Sequence, residues 1–450
     1  MSDCELVLRK AAALHIDECE AVHIRKKITT VRITDSEIAE LKQNIEEGLG
    51  VRMVHEKKIL SAASSSSDTG LIEMALQAKG LLEPKNFWRT LPHPQRFDKV
   101  EKTYDKKLEE ISGKDAIEIV KEMVDASSHE KITRISGSLN IVSEEFEVAN
   151  TNGVDISDKA TYIAGTINTD SDYGNTPVSG IGAMSCRTMD SFSPIKIGVD
   201  AREMCINSIN PQSCEPDSYS IIFEPYAIGE MLAFVFSSNF NLKTYSEKRS
   251  CFSEKLGKKI AVEDFNLIDD PHFPDGVGSK PFDDEGVPTK PRPLIDSGIF
   301  SNTFSDSFYA FKEGGNSTGN AARMGSPMGR SSSPIPIPST HNLMIKRGKK
   351  TRDEMIKDTR KGLLVGRLWY TYSVNPERGD FSCTARSGIR IIENGKIVSA
   401  GKPVRIVHNL PMLLQNISGV GDDIRNVLQW SAIPCVTPSL KVNEIKAVPI

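Results

Sequence analysis

No two of the eight cysteines in this sequence form a CxxC pair, and none of its eight histidines has another beside it in ligand spacing. Cysteines scattered singly argue against a disulfide framework and against a zinc knuckle, and they fit a reducing cytoplasm. A zinc site would have to gather its ligands from distant segments. No apolar run approaches the roughly 18 residues that a membrane span needs. The N-terminal stretch MSDCELVLRKAAALHIDECE carries charges through its apolar part, which does not suit a signal peptide. The formal net charge of -4 leaves no electrostatic footprint for nucleic acid or for an anionic membrane. GxSxG, HExxH, the kinase motifs and the Walker A loop are all missing, as is any internal repeat.

What is present is ordinary globular sequence, 450 residues long, enough for two or three domains. The stretch IIFEPYAIGEMLAFVFSSNF marks a junction. Ile221, Ile222 and Phe223 are strand formers, and Pro225 suits the first turn of a helix, where its missing N–H is no loss. Ile228, Met231, Leu232, Val235 and Phe236 then recur at steps of three and four, the pattern of one buried helical stripe. Before the junction the chain reads as mixed α and β. Short strands are predicted at Ala21 to Ile24 and Thr29 to Ile33, divided by Arg25, Lys26 and Lys27. Helices are predicted at Thr69 to Leu82 and Lys114 to Ser127, and two alternating strands over Ile132 to Thr151. Ser36 to Gly48 is ambiguous: Ile38, Leu41, Ile45 and Leu49 have helical spacing. After the junction β segments dominate, among them Ile260 to Leu267 and Ser382 to Ile392, with a Thr-capped helix over Thr351 to Leu363. The fold class is therefore α+β, with an N-terminal α/β domain (1–200) built on a mixed sheet and a β-rich C-terminal domain (201–450).

Two polar segments could carry chemistry. Phe282 to Gly286 (FDDEG) concentrates three carboxylates, which could attract a hard cation. Neighbouring loop residues point apart, however, so a solvated turn is the expectation. Glu313 to Gly325 is rich in glycine without the Gly-Lys-Ser/Thr ending of a phosphate cradle, and reads as a mobile loop or packed turn.

The segments GLGVRMVHEKKILSAASS, ANTNGVDIS, SIIFEPYAIGEML, FDDEGVPTKP, GGNSTGNAAR, GDFSCTARSGIRIIENGKI and NISGVGDDIRN, in this order and ending in PSLKV, resemble the TldD/PmbA family over nearly the whole chain. The resemblance implies a cytosolic protein of two domains, and it implies pairing, since the family has two paralogous kinds of subunit. TldD-like subunits carry HExxxH and a cysteine near the C-terminus and are zinc metallopeptidases. PmbA-like (TldE) subunits lack those ligands. The junction here occupies the HExxxH position. One alignment puts Pro225 and Glu230 at the histidines and Tyr226 at the glutamate; a shift by one uses Glu224, Pro225 and Gly229. Neither supplies a histidine, and Val420 or a neighbour falls near the expected cysteine. The resemblance further points to Asn316, Ser317, Thr318, Gly319 and Asn320, and to Arg386 and Gly388, as neighbours of a peptide-holding cavity. It favours strands for Ser36 to Gly48.

Three readings follow. The first is a non-catalytic TldE-like subunit without metal, supporting a zinc-bearing TldD-like partner in peptide or protein hydrolysis. The second is a peptidase with its own metal site, built from Glu224, Glu230, His272 and Cys435. The third is a homodimer that captures extended peptides at a sheet edge. Nucleic acid and membranes are not expected as partners.

Overall fold

The computed structural model describes residues 2–65, 70–429 and 433–450. Helix α1 (Asp3–Ala13) leads into β1 (Glu18–Thr34), β2 (Glu37–His55) and β3 (Lys58–Ser64), followed by the short helices α2 (Leu71–Gln77) and α3 (Lys106–Glu110) and by α4 (Gly113–Ser127). Strands β4 (Arg134–Asn150), β5 (Asp155–Ser171) and β6 (Val178–Cys186) and helix α5 (Pro194–Ile206) complete the first half. The six strands form one sheet in the order β3-β2-β1-β4-β5-β6, antiparallel throughout where a mixed sheet was expected, because the strands follow one another through turns and α4 with no parallel crossover.

This sheet is buried on two faces, and the alternation of its strands says why. Val31, Ile33, Leu139 and Ile163 point to one face, where Val120 and Met123 of α4 and Ile197 of α5 cover them. Helix α5 lies so close that a Cβ on Gly182 would sit 1.9 Å from the Ile197 carbonyl oxygen. Ile28, Val142 and Tyr162 point to the other face, against Val277 and Met328 of the second half.

The second half begins with β7 (Asp217–Phe223) and α6 (Pro225–Met231), which continues through a π turn (Leu232–Phe236) and a 3-10 turn (Ser237–Phe240). Then come α7 (Leu242–Ser246), β8 (Leu267–Asp269), β9 (Arg292–Asp296), β10 (Ile299–Phe300), α8 (Ser307–Lys312), β11 (Ala321–Ala322), β12 (Ile337–Pro338), β13 (Leu343–Ile345) and α9 (Arg352–Lys357). The long strands β14 (Lys361–Asn375) and β15 (Asp380–Glu393) follow, with β16 (Lys396–Ala400), β17 (Val404–Asn409), α10 (Leu410–Gln415), β18 (Ile417–Val420), β19 (Arg425–Leu428), β20 (Pro434–Thr437) and β21 (Leu440–Pro449). Strands β14, β7, β21, β17 and β15 pair in that order, and β15 pairs back to β14, closing a barrel. A second sheet runs β10-β9-β8-β13-β20-β19. The buried stripe of α6 and its continuation packs between them: Ile228, Leu232 and Phe236 share one core with Phe223, Val365 and Leu440.

The α+β class and the strand-to-helix junction agree with the sequence, Pro225 standing in the first turn of α6. Ser36 to Gly48 lies within strand β2. Its outer portion has no neighbour on the β3 side, and its run of glutamates and lysine guards that open edge. Other expectations need correction. The basic run at Arg25 to Lys27 does not divide two strands, because Lys26 is buried and its ammonium donates to the carbonyls of Met328 at 2.6 Å and Arg330 at 2.8 Å. Ile132 to Thr151 contains one long strand, β4, in place of two. Ile260 to Leu267 is mostly irregular, and only Leu267 enters β8. The Thr351 helix has the expected capping box with Glu354 but ends at Lys357, and β14 takes over at Lys361. A Cβ on Gly362 would lie 2.5 Å from the Ser220 carbonyl, so that residue belongs to close pairing of β14 with β7.

The largest correction is Phe282 to Gly286. Asp283, Asp284 and Glu285 are all buried. Asp283 accepts from the backbone N–H groups of Glu285, Val287 and Ala321. Asp284 pairs with Lys280 at 2.7 Å and Arg330 at 3.0 Å, and Glu285 pairs with Arg52 at 2.7 Å. Asp284 and Glu285, expected to meet water, instead meet cations, which is how a charge survives burial, while burial and the neighbouring Glu285 raise the Asp283 carboxyl above its usual range. Arg52 reaches on to Glu20, and Arg323 pairs with Glu20 as well. One ionic cluster thus joins strands β1 and β2 of the first half to the loops of the second.

Candidate functional site

Helix α6 starts where β7 leaves the barrel, and its first turn faces the first-half sheet across a cleft. Two cavities lie there. A cavity of about 630 Å³ is bordered by Asn140 and Asn168 of the sheet, Tyr226 and Glu230 of α6, and Arg367 and Trp369 of β14. A smaller one of about 150 Å³ is bordered by Glu224, Pro225 and Tyr226, with Glu203 of α5 and Arg352 of α9. The position singled out in the sequence therefore forms the wall of a cleft between the two halves.

Each of its side chains has a physical setting. Glu224 precedes the helix but does not cap it; its carboxylate takes Arg352 at 2.7 Å. Tyr226 is half-buried, and burial pushes its phenol up to about 12; its carbonyl accepts from Gln429 at 2.9 Å. Gly229 lets α6 approach β19: an added Cβ would meet Val427 Cγ1 at 2.5 Å. Glu230 is 4% exposed, and burial raises its carboxyl above the usual carboxylate range, against the pull of Arg367. Across the cleft, Arg367 donates to Asn168 Oδ1 at 3.0 Å and Arg425 pairs with Asp200 at 2.9 Å.

The direction at Glu230 gives a test. A carboxyl whose folded pKa is raised contributes most below its unfolded pKa and loses that contribution as pH rises through the folded value. Glu230→Gln cannot ionise, so thermal melts should show it gaining on the wild type from pH 5 to pH 8. A variant that loses ground at pH 8 would mean that Glu230 works as a stabilised anion.

Among the described residues the one group of three or more His, Cys, Asp or Glu side chains with ligand atoms in metal-binding proximity is Asp3 of α1, His23 of β1 and Glu47 of β2. Glu224, Glu230, His272 and Cys435 are not brought together. His272 bonds Thr289 Oγ1 at 3.1 Å, and the Cys435 thiol lies buried in β20, where burial pushes its pKa up. Zinc would need about three donors converging on an open position. Pro225 has no donor, Glu224 is paired with Arg352, and among the described residues no three His, Cys, Asp or Glu donors converge at the cleft wall, so its residues do not fit that ion.

The loop Asn316 to Asn320 lines neither cavity of the cleft. It is a packed turn. Asn320 is buried and donates to Asp269 Oδ2 at 2.6 Å, while the Gly319 carbonyl accepts from His341 Nε2 at 2.7 Å. Burial pushes His341 down to about 3, so it donates as a neutral imidazole. Arg386 and Gly388 stand on β15 at a third cavity of about 620 Å³, and Arg386 lies 5.2 Å over the Trp369 ring. Arg367 and Trp369 escaped the sequence reading because the Thr351 helix was extended over the start of their strand. A signal was available: in Arg367-Leu368-Trp369 the leucine is buried in the barrel core and the arginine and tryptophan border the cleft.

Sequence profiles of the PmbA/TldA metallopeptidase domains match this chain in three blocks: domain 1 over residues 19–81, the central domain over 106–208, and the C-terminal domain over 216–448. The chain belongs to the PmbA/TldD family. It is 25% identical over 382 residues to an uncharacterised protein of Methanocaldococcus jannaschii, spanning 85% of this chain and 86% of that one. It is 24% identical over 443 residues to a protein named metalloprotease TldD homolog of Haemophilus influenzae, spanning 92% and 89%. The structure of TldE from Thermococcus kodakarensis superimposes with a TM-score of 0.90 at 23% identity, covering 99% of this chain and 100% of that one. The fold is thus the PmbA/TldD fold from end to end. No helix among the described residues is long and apolar enough to cross a membrane.

Proposed function

We propose that this chain is a TldE-like subunit of a TldD/TldE-type peptidase of the cytoplasm. On this reading it does not hydrolyse peptides itself. It pairs with a histidine-bearing TldD-like subunit, which holds the zinc, and its cleft helps to hold the peptide or unfolded segment being cut. The observation that carries the reading is the identity of the cleft wall. Where the family resemblance places HExxxH, this chain has Pro225, Tyr226 and Glu230, and no histidine occurs between His129 and His272. A family layout kept from end to end around a position without ligands is the pattern of a partner that has kept its shape and shed its chemistry.

Pairing is tested by co-expressing the tagged chain with a TldD-like paralogue from the same source and measuring native mass. A one-to-one complex is the expected result. A chain that stays a homodimer in the presence of that paralogue would move the assignment to a self-paired peptide-binding protein.

A further inference from the structure

The two arginines beside Trp369, Arg367 at the cleft and Arg386 at the neighbouring cavity, differ from Arg352 and Arg425. Arg352 and Arg425 each hold a carboxylate, Glu224 and Asp200. Arg367 and Arg386 hold none among the described residues. Arg367 has one hydrogen bond, to the neutral amide of Asn168, and its guanidinium lies 4.3 Å over the Trp369 ring; Arg386 lies 5.2 Å over the same ring. The acids acting on Arg367 are Glu230 and Asp170, and neither is within ion-pair distance. Arg367 is largely withdrawn from water, and a cation withdrawn from water without an anion is in a costly state.

The surroundings describe what would relieve it. The cavity of about 630 Å³ has aromatic and apolar walls (Trp369, Tyr226, Met328) and three amides, Asn140, Asn168 and Gln429, with the Glu230 carboxyl in the same wall. That size and mixture suit a short organic ligand held by few polar groups. A guanidinium fork matches a carboxylate through two parallel N–H bonds, and Trp369 holds both planes in place.

We propose that Arg367, with Arg386 on Trp369, is a carboxylate-recognition site that anchors the C-terminal carboxylate or an acidic side chain of a peptide bound in the cleft. This inference rests on the peptide-holding reading above. It makes Arg367 a specificity residue of this chain, independent of where hydrolysis occurs.

The test is fluorescence anisotropy on the full chain with three fluorescein-labelled probes. They are the peptide Ala-Leu-Val-Ala-Leu as the free acid, the same peptide as its C-terminal amide, and the amide of Ala-Leu-Asp-Ala-Leu. The free acid is expected to bind about tenfold or more tightly than the plain amide. Recovery of affinity by the aspartate-bearing amide would assign the site to acidic side chains as well; failure to recover would assign it to the terminus. Arg367→Gln should erase the preference for the acid. Arg367→Lys should retain part of it, as a charge without a fork. Arg386→Gln, on an exposed residue, should weaken the preference without threatening the fold. Equal binding of acid and amide by the wild type, or a preference that survives Arg367→Gln, overturns the inference and leaves the peptide-holding reading standing. No binding of any probe overturns both.

Discussion

Replacing Arg330 by methionine is expected to destabilise the fold by about 3–5 kcal/mol, because it removes one partner from a buried ionic cluster. The Arg330 guanidinium meets three carboxylates: Glu144 at 3.1 Å, Asp158 at 2.8 Å and Asp284 at 3.0 Å. It also lies 4.7 Å over the Phe146 ring. Methionine would fill much of the volume and leave those acids facing one another. Glu144 and Asp284 cannot turn to water, since both are buried, and among the described residues Asp284 keeps only Lys280 as an ion-pair partner. The cluster sits between the first-half sheet and the second-half loops, so this loss is also a loss of attachment between the halves. Urea unfolding measures it, and a change below about 1 kcal/mol would show that the cluster is not coupled as the distances imply.

The same pair fixes a pH dependence. In spite of burial, Lys280 and Arg330 hold the Asp284 carboxyl well below its usual range. A carboxyl depressed in the folded state contributes stability above its unfolded pKa and loses it as pH falls through the folded value. The gap between wild type and Arg330→Met should therefore be full at neutral pH and narrow below about pH 4, where the unfolded chain binds protons.

The second large contrast concerns the cleft wall. The variant Pro225→His, Tyr226→Glu, Glu230→His writes an HExxxH pattern into α6. A competent zinc site accelerates hydrolysis by about a millionfold or more over water; this variant is expected to cleave peptides no faster than the wild type. Two histidines and a base are only part of such a site. A third ligand is needed, together with the hydrogen bonds that orient all three. Cys435 cannot supply it from β20, where its thiol is fully enclosed and donates to the Ile433 carbonyl. Metal-dependent, chelator-sensitive cleavage of a peptide by the triple variant would contradict this.

Local elements were legible where one signal acted alone. The α6 start is written in Pro225 after three strand formers, and α4 in its apolar stripe, to which the structure adds a capping box between Ser112 and Asp115. Legibility failed where distant chain changes a residue's meaning. Lys26 reads as a break in a strand because the carbonyls that solvate it lie some three hundred residues away. The acids of Phe282 to Gly286 read as a wet turn for the same reason: Arg52 and Arg330 come from far along the sequence. The helix at Thr351 was drawn too long because its apolar residues run on into Leu363 and Leu364, which the barrel buries as a strand. That error hid Arg367 and Trp369. The junction itself was found from the sequence, but its place on a cleft wall needed the first-half sheet to stand opposite.

Whether this chain carries zinc of its own separates a supporting subunit from a peptidase. Elemental analysis of the chain purified without chelator, alone and in complex with a TldD-like subunit, addresses it directly. The expected result is negligible zinc and no peptide cleavage for the chain alone, and about one zinc with chelator-sensitive cleavage for the pair. Near-stoichiometric zinc in the isolated chain, with cleavage that a chelator abolishes, would contradict it.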